Sequence, residues 1–260
     1  MRPGFTLRGL CAALALLGAV LPRCPAAAND VQLRVELWNF YQSNEDDSGQ
    51  DKLTFRMLQD VDFGSGWSVT FREDLPLILT DKTGPQNTDG EWTSGIGDAF
   101  VQAVVSTPEV LPRTTLQAGL RVVFPTGGEG PFGGSTYQLG PIAGISHRID
   151  SVAGGLLLSP FARYLISVAE TEADATPVRR LQIYPRAVLT LSERWQLAIY
   201  DGDQPILYDH KTAEWFVPFD ALLSYEFARG ATVKIGGAVH LTENTTQYRH
   251  VVYSALSFRF

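Results

Sequence analysis

From Leu116 to Phe124 every second residue is apolar: Leu116, Ala118, Leu120, Val122 and Phe124, with Gln117, Gly119, Arg121 and Val123 between them. A period of two belongs to an extended strand with one greasy face, because successive side chains point to opposite sides. The pattern recurs along the chain. Val31, Leu33, Val35 and Leu37 alternate with Gln32, Arg34 and Glu36, and Trp67, Val69 and Phe71 with Ser68, Thr70 and Arg72. Leu181, Ile183, Pro185, Ala187 and Leu189 alternate with Arg180, Gln182, Tyr184, Arg186 and Val188; Val233, Ile235, Gly237, Val239 and Leu241 do so with Thr232, Lys234, Gly236, Ala238 and His240. No segment carries a sustained helical repeat. Twelve strands are predicted, near 31–41, 52–63, 67–79, 95–107, 115–125, 136–148, 155–168, 178–191, 195–205, 213–227, 231–242 and 248–260.

Most of these strands are about 10 to 14 residues long, enough for a tilted strand to cross a bilayer and longer than the ~5 to 6 usual in soluble sheets. The connectors alternate in length. Those at 64–66, 150–154, 192–194 and 228–230 are short and 107–113 is only somewhat longer, whereas 43–51, 80–94, 126–135 and 170–177 are longer and polar or glycine-rich. A soluble sandwich has no reason for that alternation, and an outer-membrane barrel does. The predicted fold is therefore all-β: a transmembrane antiparallel up-and-down β-barrel of about twelve strands, with the long loops outside the cell and both termini periplasmic.

The chain ends support the same expectation. Arg2 and Arg8 precede an apolar run from Gly9 to Leu21, followed by Pro25, Ala26, Ala27 and Ala28, the layout of a cleavable secretory signal. The run is too short for a spanning helix. Residues 1–28 are read as the signal and 29–260 as the barrel domain. Arg23 before Cys24 fits lipidation badly, and both cysteines, Cys11 and Cys24, leave with the signal. At the other end Val252, Leu256, Phe258 and Phe260 share a face with Ser254. An aromatic last residue after such alternation is similar to the signal by which barrel assembly machinery recognises its clients, so that machinery and outer-membrane lipids are expected partners in a Gram-negative outer membrane.

Hydrophobic content of 45% does not separate this chain from a soluble globule. Charge is more informative. Loss of Arg2, Arg8 and Arg23 takes the formal charge from −7 to −10, which argues against nucleic acid or anionic lipid surfaces as partners. Strand alternation assigns the remaining charges to the lumen, and the selectivity candidates are Arg72, Asp74, Asp98, Arg121, Arg163, Arg180, Arg186, Asp220, Glu226 and Lys234. Such a set can be a salt-bridge network that stabilises a polar lumen, or a ring that selects solutes as charged rings do in pores; both can hold together. Trp67, Trp195, Trp215, Phe227 and Phe258 are expected at the membrane interfaces.

Catalysis finds little support. Ser146 and His147 are adjacent, so they point to opposite faces and cannot form a nucleophile and base pair. His210 beside Asp209, with Asp201 and Asp203 near it, is read as a solvated acidic loop. The spacing of those aspartates matches no cation-binding loop, and no helix follows the stretch Gly127, Gly128, Gly130, Gly133 and Gly134 to make it a phosphate cradle. No enzyme, cofactor or metal is expected.

The runs VVFPTGG (122–128), TYQLGPIAGI (136–145), SPFARYLIS (159–167), LQIYPRAVLTL (181–191), WQL (195–197) and WFVPFDALLSYEF (215–227), with GIGD at 95–98, resemble the outer-membrane family named after the meta pathway of phenol degradation. The likeness covers roughly residues 60–260. It implies a passive channel or transporter for small, aromatic or hydrophobic solutes and carries no catalytic residues. The chain departs from that family at Pro160, Phe161 and Tyr137. A non-conducting structural barrel or an outer-membrane hydrolase is the alternative.

Overall fold

The computed structural model describes residues 30–260 except 45–46, 84–86, 129, 153, 174, 176 and 243–247. The expected signal segment and both cysteines lie outside the described residues. Seventeen strand segments join into twelve staves: β1 (Asp30–Ser43), β2 (Gly49–Asp62), β3 (Ser68–Thr80), β4 (Thr93–Ile96 and Ala99–Ser106), β5 (Thr114–Phe124), β6 (Thr136–Ile149), β7 (Leu156–Leu158 and Phe161–Glu170), β8 (Arg179–Tyr184 and Ala187–Thr190), β9 (Trp195–Ile199 and Ile206–Asp209), β10 (Glu214–Phe216 and Pro218–Ala228), β11 (Ala231–His240) and β12 (His250–Arg259). Each pairs antiparallel with its neighbour in sequence, and β12 pairs with β1 from Arg34↔Arg259 to Ser43↔His250, so the sheet closes. Closure leaves no edge, which a sheet in hydrocarbon requires because each unpaired amide there costs several kcal/mol. The seam extends to the last residue, where Phe260 and Leu33 exchange backbone hydrogen bonds.

Alternation sorts the side chains as the sequence predicts. Leu37, Leu53, Val101, Leu120, Ile145, Leu197, Ile235, Val252 and Leu256 are exposed on the outside, an apolar belt far larger than a soluble monomer tolerates. Trp67, Trp195, Phe227 and Phe258 ring its short-turn rim, and Tyr41, Tyr137 and Trp215 its long-loop rim. One outward charge stands out in mid-stave. Glu73 sits in the middle of β3 with Phe71 and Leu75 on its own face and Met57 and Val101 opposite, and it has no hydrogen bond or ion pair among the described residues.

The long and short rims persist, but the loop expected around 206–212 is mostly strand. Ile206–Asp209 pairs with Arg179–Tyr184 of β8 and with Glu214–Phe216, leaving a turn at 210–213. The true departure from regular sheet lies lower down. Ile199 pairs with Ala187 while Ile206 pairs with Ile183, so the six residues 200–205 of β9 stand against only three of β8. The surplus leaves the wall and folds into the lumen. Proline lacks the N–H a ladder needs, and Pro160, Pro185, Pro205 and Pro218 stand at or beside the interruptions in β7, β8, β9 and β10.

Inside, one sector is packed and the other is charged. Trp38, Phe40, Leu207, Phe216, Leu222, Tyr248, Val251 and Tyr253 form a buried apolar cluster on the inner faces of β1, β9, β10, β12 and the segment before β12. Trp38 and Phe40 stack at 5.5 Å, and Tyr253 tilts against both. Gly236 makes room for Tyr253, since a Cβ there would stand 2.5 Å from its ring.

Candidate functional site

The opposite sector, β2 to β8, supplies a belt of charges at mid-height. Arg56 and Asp74 are cross-strand partners on β2 and β3, and Arg72 lies two residues before Asp74 on the same face. Arg56 donates Nε and Nη2 to Asp74 at 3.0 and 2.9 Å. Arg72 donates Nε and Nη2 to the same carboxylate at 2.9 and 2.7 Å. Arg72 also grips Asp203 through Nη1 and Nη2 at 3.0 and 2.6 Å, and Arg56 reaches Asp203 as well. Paired forks of this kind fix direction as well as distance.

Asp203 belongs to the six-residue excursion of β9 and lies in the lumen, whereas the sequence suggests a solvated acidic loop. It reaches the centre because the excursion is pinned. Asp220 of β10, fully buried, accepts the Gly202 N–H at 2.9 Å and the Tyr253 hydroxyl. Tyr200 donates its hydroxyl to the Pro218 carbonyl at 2.7 Å. Tyr200 and Asp203 both adopt left-handed backbone, φ 53° and 64°, a conformation few residues other than glycine take readily. Asp220 thus serves as a positioning residue beneath the belt.

The remaining predicted residues fall into four groups. Arg121 and Arg163 stand beside the belt and share the Gln102 side-chain oxygen, at 3.0 and 3.2 Å. Arg163 also donates to Gln182 and to the Tyr184 hydroxyl, and Arg121 lies 3.6 Å from the Phe100 ring centroid. Arg186 bonds Asp201 at 2.6 Å and Lys234 bonds Glu36 at 2.8 Å on the short-turn side of the belt. Glu36 further accepts the Trp38 indole N–H and lies 3.5 Å from Arg56, tying the charged and apolar sectors together. Arg180 pairs with Asp209 near the long-loop rim, and Glu226 accepts the Gly230 N–H in the turn to β11. Asp98 lies apart from the belt. Its carboxylate accepts the N–H groups of Gly127 and Gly134 at 3.1 and 2.8 Å, latching the glycine-rich loop. Phe132 of that loop lies against Gly95, whose place any larger residue would contest.

Three cavities follow one another along the lumen. The short-turn mouth, about 290 Å³, and the middle one, about 280 Å³, share Arg34, Arg186, Asp201 and Lys234 as walls. A third, about 160 Å³, lies beyond the belt and shares Arg56, Arg72, Tyr184 and Asp203 with the middle one. The belt is therefore the waist. The histidines stand elsewhere: His147 bonds Thr114 at 2.8 Å, His210 packs edge-on against Tyr164 and Tyr208, and His240 lies against the carbonyls of Tyr248 and Thr242.

The closed twelve-stave sheet, apolar outside and charged within, defines the chain as a β-barrel of the outer-membrane type. It is similar to the crystal structure of an outer-membrane channel from Pseudomonas putida F1, with TM-score 0.67 and 13% identity over 91% of this chain and 96% of that one. The NanC porin aligns with TM-score 0.56 and 12% identity over 87% and 98%. The translocator domain of the autotransporter NalP from Neisseria meningitidis aligns with TM-score 0.50 and 10% identity over 97% and 98%. No family model matches the chain, and no curated protein matches it in sequence. At these identities the likeness establishes the fold.

Proposed function

We propose that the protein is a passive outer-membrane channel for small solutes, gated in selectivity by the Arg56, Arg72, Asp74 and Asp203 belt. The observation that carries this reading is the run of three cavities that share walls in series, with the charged belt between the middle and the third. A barrel held together only by its core has no need of such a series. Arg121 and Arg163 flank the waist, Arg180 and Arg186 lie on its two sides, and Lys234 and Glu226 line the short-turn cavities, so these residues are assigned to the solute path. Asp220 and Asp98 support it indirectly, one by placing Asp203 and the other by holding the Gly127–Gly134 loop as a lid at the long-loop rim.

The name of the Pseudomonas relative, an outer-membrane channel, supports the reading. So does the resemblance to the meta-pathway phenol-degradation family, which favours small aromatic or apolar solutes. Residues 1–28 act as the cleaved signal, both termini face the periplasm, and the strand ending at Phe260 is the part the assembly machinery reads. A planar-bilayer recording of the refolded chain tests the function. Discrete conductance steps are expected, and Arg72→Gln is expected to change the ratio of anion to cation permeability. Silent membranes together with no solute uptake into proteoliposomes overturn it.

A further inference from the structure

The chain carries an excess of acid, with a formal charge of −7. The cavity beyond the waist reverses that sign. Its walls hold Lys52, Arg56, Arg72, Arg121 and Arg163 against only Asp74 and Asp203. The two acids are committed to Arg56 and Arg72. Lys52, Arg121 and Arg163 have no carboxylate partner among the described residues, and each is held by an aromatic ring or neutral oxygens. Lys52 lies 4.6 Å from the Phe40 ring centroid, Arg121 lies 3.6 Å from that of Phe100, and Arg163 bonds Gln182, Gln102 and Tyr184. Arg163 is 2% exposed and Arg121 8%.

Burying a cation without an anion is costly, and ring faces and amide oxygens offset only part of that cost. An anion supplied from solution completes the neutralisation. Arg121 is arranged to receive one. Its Nε is used by Gln102, while Nη1 and Nη2 make no hydrogen bond among the described residues, and Arg121 lines the cavity. Two parallel N–H groups on a planar guanidinium match the two oxygens of a carboxylate. The walls between the cations are the rings of Phe40, Phe100 and Tyr184, which suit a flat apolar body behind the charged head.

We infer that this cavity is a binding site for a small organic carboxylate, with Arg121 as the fork and Lys52 and Arg163 as the supporting charges. The inference deepens the channel reading and rests on it for its role in passage, because a solute held there lies on the approach to the waist. It makes the channel anion-selective.

The test uses the refolded full-length chain in detergent micelles, with sodium benzoate as probe, benzyl alcohol as its neutral counterpart and inorganic phosphate as the second oxyanion, all at fixed ionic strength. Benzoate is expected to raise Tm saturably, because a ligand that binds only the folded state stabilises it, and benzyl alcohol is not. Lys52→Gln and Arg121→Gln are each expected to raise the half-saturating benzoate concentration about tenfold, the loss of one charge-assisted contact. Arg121→Lys, which keeps the charge and loses the fork, serves as a second variant if Arg121→Gln does not fold, and is expected to weaken benzoate likewise. In bilayers under a KCl gradient the reversal potential is expected on the anion side, with benzoate reducing the chloride current. No saturable shift with benzoate, an equal shift with benzyl alcohol, a shift with phosphate only, or benzoate binding unchanged in these variants overturns the inference. Conduction without benzoate binding removes the site and leaves the channel. Benzoate binding in a silent membrane keeps the site and removes the channel.

Discussion

Arg56 and Arg72 share Asp74 and Asp203, yet the two carboxylates do not carry equal loads. The Asp74 side chain is 5% exposed and Asp203 25%, so water screens the second more. Removing one partner of a buried pair costs roughly 3 to 5 kcal/mol, because the remaining charge is stranded. Asp74→Asn is therefore expected to cost about 3 kcal/mol in urea unfolding from micelles. Asp203→Asn is expected to cost about half of that, and the reverse order would refute this assignment. Glu73 poses the opposite problem, a carboxyl turned to lipid in mid-stave with no partner among the described residues. Charged side chains on the lipid face of barrels cost up to ~2 to 4 kcal/mol at the midplane, acids less than bases. Glu73→Leu is thus expected to stabilise the barrel by about 1 kcal/mol, measured by the same unfolding.

The twelve staves were legible in the sequence because each keeps a period of two over at least part of its length, although the upper half of β9, Ile206–Asp209, was read as loop. The interruptions were not. Pro185 falls on the correct parity, so Leu181 to Leu189 scans as one strand although the ladder breaks there. The stretch Asp201, Gly202, Asp203, Gln204 and Pro205 carries the chemistry of any turn, and that chemistry does not say whether the turn caps a hairpin or folds inward. Only its partners decide, and Asp220 and Tyr253 are distant in sequence. The lumen arginines and Tyr184 were found by parity alone, whereas Lys52, Phe40 and Phe100 were missed, since Lys52 faces Phe40 and Ile78 across the ladder and no cross-strand acid marks a pair. Two elements can be probed directly. Gly202 has no space for a side chain, since a Cβ would stand 2.2 Å from the Tyr253 hydroxyl, and Gly202→Ala is expected to cost ~1 to 3 kcal/mol. Asp98→Ala releases the latched loop, and hydrogen exchange should show the Gly127 and Gly134 amides losing protection while the β5 and β6 ladders keep theirs.

At the scale of the whole barrel, the packed sector gives rigidity, the charged sector is the part to which the proposed channel owes its discrimination, and Glu36 with Trp38 couples them. Selectivity from fixed charges weakens as mobile ions screen them, and the screening length falls from about 10 Å at 0.1 M salt to about 3 Å at 1 M. The permeability ratio is accordingly expected to move toward unity across that range in reversal-potential measurements, while Tm, set largely by the buried belt and ladder, changes little. A ratio that ignores salt would mean the waist sorts by size. The inward excursion of β9 has one last consequence. Because Ile199 and Ile206 are each locked to β8 on either side of it, residues 200–205 can change together with the groups that pin them, Asp220, Tyr253, Arg56 and Arg72, while wall, shear and diameter stay fixed. The lumen's contents are thus set by one short insert and its few partners, apart from the wall that carries them.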